Sequence, residues 1–217
     1  MLEQYYTVNT NGSDEQVIQK SRFIGYVRRV ETEDQAQAFI QEIKKKHHDA
    51  THNCSAYMIG EHNQIQKAND DGEPSGTAGV PILEVLKKKD LKDTAVVITR
   101  YFGGIKLGAG GLIRAYSSTT SLALNTTGIV KRKRMQKLKI TVTYPLLGKV
   151  ENELRNADYS IETIDYLEQV TFHVLVSLAN VSKFQDWIID ITNNQVVIHL
   201  DGETYIELPE QKKEEHS

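Results

Sequence analysis

The period of apolar and polar positions changes several times along the chain, and each change marks an element. Residues 5–9 and 22–30 cluster aromatic and β-branched side chains and predict strands, with the polar run Asn11-Gly12-Ser13-Asp14 predicting a turn after the first. Residues 33–48 predict a helix, because Ala36, Phe39, Ile40 and Ile43 follow the spacing of three and four that makes one buried stripe. Thr32 is placed to cap it before the acidic Glu33 and Asp34, and Lys44, Lys45 and Lys46 suit the negative end of its dipole. Residues 52–59 alternate as a strand, with His52, Cys54, Ala56 and Met58 on one face and Asn53, Ser55, Tyr57 and Ile59 on the other. A helix over 80–89 tolerates Pro81 in its first turn. The continuous run Ala95-Val96-Val97-Ile98-Thr99 predicts a strand over 93–101 that is buried on both faces. Residues 111–125 return to helix, with Leu112, Ala115, Leu122 and Ala123 as packing positions, until Gly128 stops it and a basic strand follows over 129–134.

Beyond residue 137 the rhythm is strand (138–143), helix (146–157), two strands (159–165 and 169–177), helix (182–192) and strand material (196–208). This βαββαβ order predicts a ferredoxin-like sandwich, a fold that hosts many functions. The class is therefore α+β, with one domain over residues 1–135, a second over 136–209 and a frayed tail over 210–217, where nothing apolar is left to bury.

Composition narrows the setting. The 217 residues suit two domains, 39% hydrophobic and 25% charged residues are those of a globular protein, and no apolar run is long enough to span a membrane. The first residues lack the basic start and apolar core of a secretory signal, and a single cysteine, Cys54, excludes an internal disulfide, so a reducing cytoplasm is expected. The net charge of −3 is unevenly spread: residues 1–135 hold 19 Lys and Arg against 15 Asp and Glu, a balance of +4, which leaves 7 against 14, or −7, for the remainder. Only the first part has a balance that favours an anionic partner.

Two glycine-rich stretches in that first part carry the candidate chemistry. In the first, Asp70, Asp71, Gly72, Glu73, Pro74, Ser75, Gly76 and Thr77 lead to the 80–89 helix. Its glycines let backbone N–H groups converge on an anion, whereas its three carboxylates argue against one unless Mg²⁺ lies between them and a phosphate. A rigid turn folded by Gly and Pro is the plain alternative. In the second, Arg100, Tyr101, Phe102, Gly103, Gly104, Lys106, Gly108, Gly110, Gly111 and Arg114 follow a buried strand and open a helix. The unpartnered amides of a helix start bind anions, Arg100, Lys106 and Arg114 add charge, and Tyr101, Phe102 and Tyr116 could stack a base. Here the plain alternative is that the glycines merely let a helix pack on the sheet.

Other patterns fall away. Gly108-Ala109-Gly110-Gly111 lacks dinucleotide-fingerprint spacing, His47, His48, His52 and Cys54 fit no zinc pattern, and Ser55, Ser75 and Thr77 sit in no nucleophile motif. No catalytic residue, resident metal or cofactor is assigned.

At Lys20-Ser21-Arg22-Phe23-Ile24-Gly25, at His52-Asn53-Cys54-Ser55-Ala56-Tyr57 and at the two glycine-rich stretches, the chain resembles the IMPACT family, over roughly residues 15–125. The βαββαβ tail resembles the extra domain of its bacterial members. The resemblance implies an N-terminal fold like the second domain of ribosomal protein S5 and a C-terminal domain like the last domain of elongation factor G. Eukaryotic relatives regulate translation by competing for the activator of a starvation-responsive initiation-factor kinase, using an extra N-terminal RWD domain. These 217 residues leave no room for that domain, so the role carries over only in outline.

Three functions follow as expectations. The leading one is a non-enzymatic, translation-associated regulator that binds RNA or a ribosomal partner through the basic glycine-rich face. The others are a Mg²⁺-dependent enzyme acting on a nucleotide or other phosphorylated small molecule, and a protein-interaction module.

Overall fold

The computed structural model describes residues 2–209; the tail expected over 210–217 lies outside the described residues. The chain divides into two compact units, one of residues up to 132 together with 207–209, the other of Lys133–Ile206.

In the first unit, β2 (Gly12–Ile18), β3 (Ser21–Arg29), β6 (Thr94–Tyr101), β4 (His52–Ile59) and β5 (Ile65–Asn69) form a sheet in that order, with antiparallel neighbours throughout. β1 (Gln4–Val8) precedes them. The central β6 is buried along nearly its whole length, as its β-branched run requires, because helices cover both faces of the sheet. On one face Ala95, Val97, Tyr57 and Ile59 meet Ala36, Phe39, Ile40 and Ile43 of α1 (Glu33–Lys46). On the other, Val96, Ile98, Cys54, Ala56 and Met58 meet Ile82 and Leu86 of α2 (Gly79–Lys88) and Leu112, Ala115, Tyr116 and Leu124 of α3 (Gly108–Thr127). The two faces of β4 are those the alternation predicts.

Two strands depart from the sequence expectation. β2 occupies much of the segment read as a turn, and β5 lies where no strand is expected. Both are edge strands with mostly polar side chains, whose pairing with β3 and β4 outweighs weak intrinsic strand character. α3 also starts three residues earlier than expected, so that Gly108, Gly110 and Gly111 lie inside its first turn.

The second unit takes the greater part of β7 (Ile129–Val142), then α4 (Leu147–Asn156), β8 (Ser160–Tyr166), β9 (Val170–Ser177), α5 (Val181–Ile191) and the greater part of β10 (Val197–Pro209). β9 lies between β8 and β7, and β10 also pairs with β7, which is the expected ferredoxin-like arrangement. Leu138, Ile140, Phe172 and Val174 face Val150, Leu154, Phe184 and Ile188 of its helices. Residues 129–134, expected as a separate basic strand, are continuous with the next one in β7, because no turn residue interrupts them. No helix among the described residues is long and apolar enough to cross a membrane.

Candidate functional site

Strand register builds the site. Phe23 of β3 and His52 of β4 both lie opposite Arg100 of β6, so these three side chains stand abreast on the α2–α3 face near the end of the central strand. Arg100 is only 5% exposed. Its Nη1 donates to Glu73 Oε1 at 2.6 Å and its Nη2 to Ser21 Oγ at 3.4 Å, while the guanidinium lies 5.3 Å from the Phe23 ring centroid and 5.5 Å from that of Phe102. The same Glu73 oxygen accepts from the Tyr116 hydroxyl at 2.8 Å, and Cys54 Sγ lies 3.3 Å from that hydroxyl. Burial pushes the Cys54 thiol and the Tyr116 phenol far above their ordinary ranges, so both stay protonated.

Each carboxylate of the first glycine-rich stretch has its own donors. Asp70 accepts the amides of Gly76 at 2.8 Å, Ala78 at 3.0 Å and Gly79 at 2.8 Å, and so caps α2. Burial works to raise its pKa, yet these amides outweigh burial and hold it below the usual carboxylate value. Asp71 takes Lys44 Nζ on one oxygen and the Asn53 amide on the other, both at 2.6 Å. Gly72 (φ +90°) and Gly76 (φ +76°) supply the left-handed turns that fold the loop. The expectation that its N–H groups converge on an anion is met by the protein's own Asp70. The expectation that Asp70, Asp71 and Glu73 share a Mg²⁺ is corrected: they are engaged separately, and no cluster of three metal-ligating side chains occurs among the described residues. Thr77 Oγ1 donates to the Pro74 carbonyl at 2.6 Å and is spent on the turn, while Ser75 is exposed.

The two stretches nevertheless meet. A cleft of about 420 Å³ is lined by Glu73 and Pro74 from the first, by Arg100, Phe102, Lys106, Leu107, Gly108, Ala109 and Leu112 from the second, and by Thr51 and His52. His52 holds its Nδ1 2.8 Å from the Asp71 carbonyl oxygen, which places a proton there, and its Nε2 lies 3.8 Å from Glu73 Oε2. The Phe102 amide donates to Thr51 Oγ1 and the Gly103 amide to Ser21 Oγ, which pins the start of the second stretch. The start of α3 opens on this cleft. Leu107 stands at its N-cap with no side-chain hydrogen bond, and its first turn has no acidic residue.

Within the second stretch the expected roles separate. Lys106 is exposed on the cleft wall and Phe102 is 46% exposed there. Arg100 lines the cleft too, but Glu73 takes up its charge, so it is a buried structural cation and the expectation of a free phosphate ligand is corrected. Tyr101 is corrected as a stacking group: its neighbour Arg100 faces the cleft, so it faces the α1 side, where its hydroxyl meets His47 Nδ1 at 2.8 Å and Asp49 at 3.1 Å. Tyr116 is corrected as well, since it is fully buried edge-on against Phe23. Arg114 is exposed beside the first turn of α3, its Nη1 3.6 Å from where a Cβ on Gly110 would stand. Gly103 serves packing, because a Cβ there would lie 2.0 Å from the Lys20 carbonyl oxygen, whereas Gly104 (φ +87°) and Gly108 (φ +69°) face open space.

Sequence reasoning weighed His52 as a metal ligand and as a neighbour of Ser55, set both aside, and assigned no site role to it or to Thr51, Leu107 or Ala109. The parity of β4 was the available signal for His52, since it shares a face with Cys54, Ala56 and Met58.

Residues 19–124 match the family described as the Impact N-terminal domain, and residues 140–195 a domain of unknown function, DUF1949. The chain is 56% identical over 207 residues to the IMPACT family member YvyE of Bacillus subtilis, covering 95% of each. It is 32% identical over 181 residues to the IMPACT family member YigZ of Escherichia coli, covering 82% of this chain and 89% of that one. To the Protein IMPACT homolog of Dictyostelium discoideum it is 35% identical over 109 residues, 48% of this chain and 30% of that protein. A solved crystal structure of a hypothetical protein superposes with a TM-score of 0.60 at 30% identity, covering 91% of this chain and 97% of that one.

Proposed function

The chain belongs to the IMPACT family, and on that premise we propose that it is a translation-associated regulatory protein that binds RNA through the cleft at the start of α3. The observation that carries this reading is the shared cleft itself: an uncapped helix start, an exposed lysine and an exposed aromatic ring lie on one concave surface. Phosphate suits the first two and a base suits the third. The translational setting rests on the resemblance to eukaryotic family members.

The second unit is a poorer surface for RNA. On the sheet face away from its helices, Lys137 lies 3.5 Å from Glu162 and Lys139 3.0 Å from Asp201, so each of these lysines already has a carboxylate. Phosphate would have to displace those partners.

Filter binding of a single-stranded RNA across several salt concentrations tests the proposal. Wild type binds at low salt and weakens as salt rises, and Lys106→Ala lowers the salt slope by about one unit. Absence of binding at low salt, or binding undiminished in Lys106→Ala combined with Arg114→Ala, overturns it.

A further inference from the structure

We propose, resting on the RNA reading above, that His52 and Glu73 form a seat for a ribose 2′-hydroxyl, so that the cleft takes RNA in preference to DNA.

Two acceptors face one another on the cleft wall. Glu73 is held through Oε1, which accepts from Arg100 Nη1 at 2.6 Å and from the Tyr116 hydroxyl at 2.8 Å. Its Oε2 accepts no hydrogen bond from any described residue, although the side chain is only 4% exposed. His52 is held from its far nitrogen, where Nδ1 donates to the Asp71 carbonyl at 2.8 Å, and its Nε2 stands 3.8 Å from Glu73 Oε2. That separation is too long for a direct hydrogen bond. A buried carboxylate oxygen without a donor is rare and costly in a folded protein. Both residues line the cleft, so a ligand can supply the donor that the protein does not.

The two groups are also fixed in advance. The bonds to Arg100, Tyr116 and the Asp71 carbonyl orient the carboxylate and the ring, so a ligand group that fits between them pays little to order them.

Their chemistry selects a hydroxyl. A hydroxyl donates to Glu73 and, when the imidazole carries a second proton, accepts from His52, so it fits either state of the ring. A base amine only donates, and loses His52 once the ring takes that proton. A metal ion needs further ligands, and no group of three metal-ligating side chains occurs among the described residues. The carboxylate does not repel an RNA strand, because Arg100 balances its charge. Lys106 and Phe102 line the same cleft, whose volume of about 420 Å³ is that of a small-ligand pocket, so phosphate, base and sugar of one nucleotide each meet a matching group. The 2′-hydroxyl is the group of that nucleotide that DNA lacks.

Isothermal titration calorimetry on the full chain tests this, with one short sequence of adenine and cytosine made as RNA, as DNA and as 2′-fluoro RNA. The fluoro form keeps the sugar pucker of RNA and has no donor at the 2′ position. AMP and dAMP serve as free-nucleotide arms. RNA should bind about tenfold tighter than DNA, as one hydrogen bond to a charged group contributes, and 2′-fluoro RNA should bind like DNA. His52→Asn keeps an amide for the Asp71 carbonyl and leaves nothing at the position of Nε2, so it should bind RNA and DNA alike. His52→Gln, whose longer amide reaches that position, should keep part of the preference. Lys106→Ala should weaken RNA and DNA together and leave their ratio unchanged. Glu73 stays intact in these variants, since its loss strands the charge of Arg100.

Equal affinity of the wild type for RNA and DNA, or 2′-fluoro RNA binding as tightly as RNA, overturns the hydroxyl seat and leaves RNA binding standing. A full preference in His52→Asn does the same. Binding of AMP over dAMP with no binding of any RNA overturns the RNA reading and keeps the ribose seat, and binding of none of these ligands overturns both.

Discussion

Glu73 and Arg100 face one another at 2.6 Å with their side chains only 4% and 6% exposed, and so join the first glycine-rich stretch to the end of the central strand. Removing one member of a buried pair strands the other's charge, at a cost of about 3–5 kcal/mol, whereas replacing both costs far less. Glu73→Gln should therefore lower unfolding stability by about 3 kcal/mol in urea titrations, and Arg100→Met by a similar amount. The double variant Glu73→Gln with Arg100→Met should lose clearly less than the sum of the single changes. Additive losses would show that the two side chains are held independently.

Asp70 sets an acid limit on the fold. Its three amide donors hold its pKa in the folded protein below the ordinary 3.8, while in the unfolded chain it takes that ordinary value. Over the interval between the two values the unfolded state binds more protons, so stability rises with pH there. The contribution is fully present above about pH 4 and is lost as the pH falls through the lower, folded value. Asp70→Asn should be less stable than wild type at pH 7, and the two should converge on acidification below about pH 4, read from thermal melts at fixed salt. A constant gap from pH 7 to pH 2 would refute the assignment of Asp70 as the cap of α2.

The fold was legible wherever burial imposes a pattern. The run from Ala95 to Thr99 could only be a strand covered on both faces, and the parity of His52 to Ile59 separated the two faces of β4 correctly. It was illegible where pairing, rather than side chains, makes the element. Gly12 to Ile18 and Ile65 to Asn69 are polar edge strands held by their neighbours' backbones. The start of α3 was hidden for a related reason. Glycine opposes helix locally, and the turn forms because Leu112, Ala115 and Tyr116 beyond it are packed in the core. Within the cleft, charge and aromatic content did not show which side chains stand open and which are taken up by the protein itself. No local signal shows that Glu73 would neutralise Arg100 across 27 residues, or that sheet register would bring His52 beside it.

Two glycines of the second stretch should respond in opposite ways to the same change. Gly103→Ala places its methyl 2.0 Å from the carbonyl oxygen of Lys20, a backbone group that cannot swing aside, so the variant should lose several kcal/mol or fail to fold. Gly110→Ala meets open space and the mobile end of Arg114, and removes a flexible residue from a helix. It should gain about 0.5–1 kcal/mol. Urea titrations of both variants settle the contrast, and a destabilised Gly110→Ala would mean that some packing contact at that position constrains it after all.

Exposure divides the three rings of the second stretch into one contact group and two supports. Phe102 is 46% exposed on the cleft, Tyr101 is bonded to His47 and Asp49 away from it, and Tyr116 is enclosed in the core. Stacking of a base on an aromatic side chain contributes about 1–3 kcal/mol by alanine substitution. Phe102→Ala should accordingly weaken RNA binding by roughly tenfold or more, with little change in the salt slope, because no phosphate contact is lost. Phe102→Trp should restore the affinity, since stacking needs a ring face rather than a particular ring. Tyr101→Phe removes only a hydroxyl that serves the α1 side, so it should leave affinity unchanged while lowering stability by about 1 kcal/mol. A loss of affinity in Tyr101→Phe equal to that in Phe102→Ala would move the base-binding surface to the opposite face of the sheet, next to α1, and away from the α3 cleft.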